Sequence, residues 1–261
     1  MTGPTVLKIG GALVSRPEAV DALWRAVAQI RASRPVLLVH GGGPRATELA
    51  RKLGHEPRIV EGRRVTGDLD LQIVKWTMRG ELNADLVAAS RTHGVDAVGI
   101  SGADGSTIQV EKRPAWDVDG ERVDFGWVGD IQQVDTRLLH HLLEGSFVPV
   151  VAPLGVDGAG RIYNVNADTV SCAIAVAVRA HEYLLVTESG GVRRNAEDAE
   201  SHLSSISRAE YERGLSEGWI GDGMIVKLKV AFDAITRGIP QVYVTSPEGL
   251  LDRSLGTRVV A

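Results

Sequence analysis

Residues Val6–Gly11 read "VLKIGG": strand-forming apolar residues, one lysine, then two glycines. Val6, Leu7 and Ile9 suit a buried strand. A lysine among them is costly, because an ammonium taken out of water needs a partner. Lys8 is therefore a candidate functional residue. The glycines after it, Gly10 and Gly11, let backbone N–H groups approach an anion with no Cβ in the way.

The same arrangement recurs along the chain. "PVLLVH" (35–40) stops at Gly41-Gly42-Gly43 and runs straight into the helical "PRATELARKLG". "EYLLVTE" (182–188) stops close to Gly190-Gly191. "DAVGIS", "FVPVVAPL" and "QVYVT" are further strand candidates. Helical spacing marks "PEAVDALWRAVAQIRAS", "LQIVKWTMRG", "LNADLVAASRTHG", "TRLLHHLLEG", "ADTVSCAIAVAVRA", "SRAEYERGLSEG" and "MIVKLKVAFDAITRG". Near-continuous apolar strands separated by helices predict an α/β fold with a largely parallel sheet covered on both faces. Open sheets of this kind bind ligands at the C-terminal ends of their strands, where the glycine turns fall. Residues 105–129 are polar and mixed, and predict a β-hairpin lid turning at Asp119-Gly120. No linker interrupts the chain, so a lobe boundary has to be a crossover, placed near Ala180.

Bulk properties exclude several classes. A net charge of −4 with scattered basic residues argues against a nucleic-acid binder. The single cysteine, Cys172, lies in an apolar helical run and reads as a small buried hydrophobe; no disulfide framework forms, which fits a reducing compartment. No ligand spacing for zinc appears. Neither a leader segment nor a long apolar window is present, so a soluble, cytoplasmic protein with no membrane partner is expected. The Walker lysine motif and the dinucleotide fingerprint are both absent, which sets a nicotinamide-dependent enzyme aside.

Other polar residues stand in informative places. Lys227 lies in the first turns of the helix that follows Gly221 and Gly223; the plain reading is a solvated lysine on the helix face. Arg64, in "VEGRRVTGD", is either a surface arginine or a fork for a carboxylate. Asn164, Asn166 and Asp168 crowd the strand-to-helix junction "YNVNAD". An N-cap accounts for one of the three.

In this order "KIGG", "VHGGG", "GRRVTGD", "SGADG", "GWVGDI", "PVVAPLGVD", "YNVNADTV", "LLVTESGGV" and "GDGMIVK" make the chain resemble the amino acid kinase family from Val6 to the closing "LGTRVV". Within that family it is similar to the branch that phosphorylates N-acetyl-L-glutamate. The resemblance implies a three-layer αβα sandwich. Residues 1–180 would form an N-terminal lobe for the acyl amino acid and for dimerisation, and 181–261 a C-terminal lobe for ATP. It implies ATP-dependent phosphorylation of the side-chain carboxylate, with Mg2+ bridging the phosphates mostly through water. Lys8 and Lys227 would flank the phosphoryl group, with Asp168 holding both. Gly42, Gly43, Arg64 and Asn164 would bind the acyl amino acid. Gly10, Gly11, Thr187, Glu188, Gly190, Gly191, Gly223 and Met224 would serve ATP.

The chain also departs from the family pattern. Thr187-Glu188-Ser189 stands where the family has Thr/Ser-Asp-Val, and "GRRV" replaces "GLRV". The latter, with the long 105–129 segment, is similar to a branch taking N-succinylglutamate. Two further alternatives are a kinase for a carrier-bound aminoadipate and a non-catalytic amino-acid sensor. The chain begins on its first strand, so a homodimer without arginine feedback is expected.

Overall fold

A computed structural model describes residues 3–60, 63–118, 120–195 and 197–261. An eight-stranded sheet runs through the molecule. From one edge to the other its strands are Ser205–Ile206, Thr257–Val259, Gln241–Thr245, Glu182–Val186, Thr5–Ile9, Val36–His40, Val148–Ala152 and Ala97–Ser101. Only the Gln241–Thr245 and Thr257–Val259 pair is antiparallel. The sheet is therefore largely parallel, as the apolar strand runs predict.

Side-chain alternation along Thr5–Ile9 sorts the core into two layers. Val6 packs with Val39, Leu185 and Val244 against the helices Ala167–Ala177 and Asp222–Thr236. Leu7 and Ile9 pack with Leu38 and Leu184 against the helix Pro17–Ile30. Lys8 shares the parity of Val6, so the sequence aims it at the face that carries Asp168. The two sides of Ala180 contribute four strands each to one sheet, and they meet where Thr5–Ile9 pairs with Glu182–Val186.

The structure differs from the sequence reading in three places. The start of the expected lid, Ile108–Lys112, belongs to a second, four-stranded sheet, in which it pairs antiparallel with Gly129–Val134. Ile108 and Val110 bury themselves there, which fixes the strand. Trp116–Val118 and Glu121–Val123 form the hairpin expected around residues 119–120. Gly120 has φ +82°, as a tight turn requires, while Asp119 lies outside the described residues. Second, the two helices expected around Gly80 are one run. Asp68–Val74 passes through a π-helical stretch, Lys75–Leu82, into Asn83–Ser90. Third, the strands Ser205–Ile206 and Thr257–Val259 were not among those expected; two or three residues are too few to show a period. Among the described residues no helix is long and apolar enough to cross a membrane.

Candidate active site

The C-terminal ends of the central strands open into a cleft of about 940 Å³. Two glycine turns form its floor. Gly11 begins the short helix Gly11–Val14, and Gly43 begins the helix Gly43–Lys52. First-turn N–H groups of a helix have no intrahelical acceptor and suit an anion. The turns pack backbone to backbone: a Cβ on Gly11 would stand 2.8 Å from the Gly42 nitrogen. Met78 and Leu82, from the π-helical stretch, close on Gly42 from below, within 2.9 Å and 2.8 Å of where its Cβ would be. Extra residues in a helical turn often mark functional positions, and here they place this support. Gly10 plays another part. Its N–H already donates to Val186 O at 3.1 Å and continues the sheet.

Lys8 lies at the cleft floor, 4% exposed, with its Nζ 2.8 Å from Asp168 Oδ1. The two charges form a buried ion pair. In "NVNAD" the three polar residues divide their tasks. Asn166 Oδ1 caps the helix Ala167–Ala177 by accepting from Thr169 N at 3.1 Å. Asp168 pairs with Lys8. Asn164 faces the cleft and donates to Thr66 Oγ1 at 3.2 Å. Arg64 is not a surface arginine. Its side chain is 9% exposed, donates to Thr47 Oγ1 at 2.6 Å, and lies 3.7 Å from Asp70 Oδ1.

Lys8, Gly11, Gly42, Gly43, Arg64, Asn164 and Asp168 thus line one cleft. Lys227 stands beside it. Burial pushes its ammonium below the usual lysine range; the charge of Lys8 adds to that and Asp168 opposes it. Lys227 therefore senses both members of the pair, although its Nζ donates to Gly223 O at 3.1 Å within its own helix. Thr187, Glu188, Gly190, Gly191, Gly223 and Met224 do not line this cleft. Glu188 pairs with Arg16 at 3.0 Å in solvent. Gly190 has φ +70°, and a Cβ on Gly191 would strike His202 Nε2 at 2.5 Å.

The sequence reading missed several cleft residues. Arg113 reaches the cleft held by Asp130 at 2.6 Å and stacked over Trp116 at 4.9 Å. Arg63 covers Trp116 at the same distance. His40 was missed too. It is fully buried; its Nδ1 lies 2.9 Å from Gly41 O, and its Nε2 lies 3.1 Å from the Asn83 amide nitrogen. Asn83 is the donor there, so Nδ1 carries the proton and holds the Gly41 carbonyl. Burial, with a smaller push from Arg79, lowers the His40 pKa to about 4.

That shift makes the glycine turn acid-sensitive. The folded pKa lies below the unfolded value near 6.5, so the unfolded chain takes the proton first as pH falls. The stability contribution is full above pH 6.5 and is lost between 6.5 and 4. It amounts to ~3 kcal/mol over that window. His40→Gln should show a flatter dependence of unfolding free energy on pH across the window than the parent protein. Parallel curves in urea titrations would contradict the assignment.

Residues 3–246 match the profile of the amino acid kinase family. An acetylglutamate kinase of Methanopyrus kandleri is 41% identical over 247 residues, covering 95% of this chain and 96% of its own. Among solved structures, an N-acetylglutamate synthase of Neisseria gonorrhoeae complexed with coenzyme A and N-acetyl-glutamate superposes with a TM-score of 0.83 at 22% identity, over 99% of this chain and 59% of that one. A carbamate kinase of Giardia lamblia bound to AMP-PNP superposes with a TM-score of 0.72 at 13% identity, over 99% of this chain and 98% of that one. Likeness at such identities is a likeness of fold.

Proposed function

The chain belongs to the amino acid kinase family, and from that premise we propose that it transfers the γ-phosphoryl group of ATP to the side-chain carboxylate of N-acetyl-L-glutamate. The product is N-acetylglutamyl 5-phosphate, an intermediate for arginine biosynthesis. The observation that carries this reading is the buried Lys8–Asp168 pair beneath two facing glycine turns.

The chemistry needs no general base. A glutamate side chain ionises near pH 4.3 and is already a carboxylate at pH 7. One of its oxygens attacks the γ-phosphorus, the bond to the β,γ-bridging oxygen breaks, and ADP leaves with that electron pair. The difficulty is to bring two anions into line. Lys8 supplies a fixed positive charge, and Lys227 supplies another from the opposite side. Asp168 keeps the two ammonium groups from repelling each other apart. The N–H groups of Gly11, Gly42 and Gly43 point donors at the phosphoryl and carboxylate oxygens. Arg64, already oriented by Thr47, grips the α-carboxylate, and Asn164 contacts the amide end.

The nucleotide would lie over the ends of Glu182–Val186 and Gln241–Thr245, served by Thr187, Glu188, Gly190, Gly191, Gly223 and Met224. Among the described residues no group of three or more acidic, His or Cys side chains could cage a metal. Such a chain suits Mg2+ carried on the triphosphate, where it would neutralise phosphate charge. Residues 1–180 then bind the acyl amino acid and residues 181–261 bind ATP. The same reading has the protein act in the cytoplasm as a homodimer. Ala97–Ser101, the half-buried outer strand of the sheet, offers a face for pairing.

Two measurements test this. ATP-dependent hydroxamate formation should be found with N-acetyl-L-glutamate and be far weaker with free glutamate or N-acetylaspartate. Preference for N-succinylglutamate would reassign the acyl group, and no activity with any of the four would favour a non-catalytic sensor. Arg64→Ala should raise KM for N-acetylglutamate by about tenfold and leave KM for ATP within about twofold. Equal changes in both would remove Arg64 from the substrate site.

A further inference from the structure

Asp168 reaches into the cleft from the first turn of its helix, with its carboxylate on Lys8. Oδ1 lies 2.8 Å from Lys8 Nζ, while Lys227 Nζ is bonded to Gly223 O. The backbone from which that side chain projects is held as well. Two hydroxyls converge there. Ser171 Oγ donates to the Asp168 carbonyl at 2.9 Å. Tyr183 OH lies 2.6 Å from Ser171 Oγ and 3.4 Å from the same carbonyl. The single proton of Ser171 is used on the carbonyl, so Tyr183 is the donor to Ser171. Burial pushes the Tyr183 phenol well above its ordinary range, and it stays protonated.

Tyr183 is fully buried in Glu182–Val186, the strand paired with that of Lys8; Val6 lies opposite Tyr183, and Lys8 opposite Leu185. One side chain thereby ties the helix of Asp168 to the strand beside Lys8, across the junction of the two halves. We infer that Tyr183, acting through Ser171, is a positioning residue that sets Asp168 against Lys8. The inference rests on the role proposed above for Asp168. Fixed hydrogen-bond relays of this kind matter because a displacement of about 1 Å at a charged group can cost up to ~10²-fold in rate.

The test is a double-mutant cycle with Tyr183→Phe, Asp168→Asn and the pair together. Phenylalanine keeps the buried ring and removes only the hydroxyl. Tyr183→Phe alone should lower kcat about tenfold, with KM for both substrates within about twofold. On the Asp168→Asn background it should change kcat by less than about twofold, because its target is gone. A purely structural role would lower kcat by the same factor on both backgrounds, and that result overturns the inference. So does a wild-type kcat for Tyr183→Phe. If Asp168→Asn itself retains wild-type kcat, the reading of the site fails instead. Should Tyr183→Phe not fold, Ser171→Ala on the same two backgrounds gives the same decision.

Discussion

Lys8→Ala is expected to lower kcat by at least ~10²-fold, or about 2.7 kcal/mol of transition-state stabilisation. During transfer, negative charge spreads over the oxygens of the phosphoryl group while a second anion attacks it. Lys8 faces that charge with no reorganisation left to pay for, since it is buried and paired before any substrate arrives. Alanine does more than remove a cation. It leaves the Asp168 carboxylate uncompensated in the cleft, where it repels both substrates. Breaking a buried pair also costs about 3–5 kcal/mol of stability, so circular dichroism and thermal unfolding must accompany the kinetics. A folded Lys8→Ala protein with near-parental kcat would sink the mechanism.

Asp168→Asn should be equally slow, at least ~10²-fold, for the opposite reason. The amide keeps the shape and loses the charge that reconciles two ammonium groups. Its second effect is on titration. Asp168 raises the Lys227 pKa against burial and Lys8, so removing its charge lowers that pKa further. In the proposed mechanism Lys227 acts as an ammonium. The alkaline limb of the kcat profile should therefore shift toward lower pH in Asp168→Asn. A limb that stays in place would separate Lys227 from the pair.

Much of this site is legible in the sequence, for identifiable reasons. Lys8 is visible because a charge inside an apolar strand breaks its own pattern. Asp168 is visible because one N-cap cannot explain three polar residues in "YNVNAD", and the cap proves to be Asn166. The glycine turns are visible because strands end on them. What stays hidden depends on distant partners. Nothing local marks His40 as the holder of the Gly41 carbonyl, since Asn83 lies 43 positions away. Arg64 looks like a surface residue until Thr47 and Asp70 close around it. Ile108–Lys112, at the start of the expected lid, is sheet because its apolar alternation is satisfied by Leu154–Val156 and Gly129–Val134, which lie later in the chain.

The place of Thr5–Ile9 in the middle of the sheet has a consequence during synthesis. One neighbour, Val36–His40, leaves the ribosome soon after it; the other, Glu182–Val186, follows much later. At ~5–20 residues per second the gap lasts roughly 7–30 s. Throughout it the nascent chain carries an apolar strand with one side unpaired, ready to join another chain. Lys8 is the only charge in that strand. Charged residues set within hydrophobic strands oppose such joining. The ammonium proposed above to serve the phosphoryl group would thus first oppose such joining in the growing polypeptide.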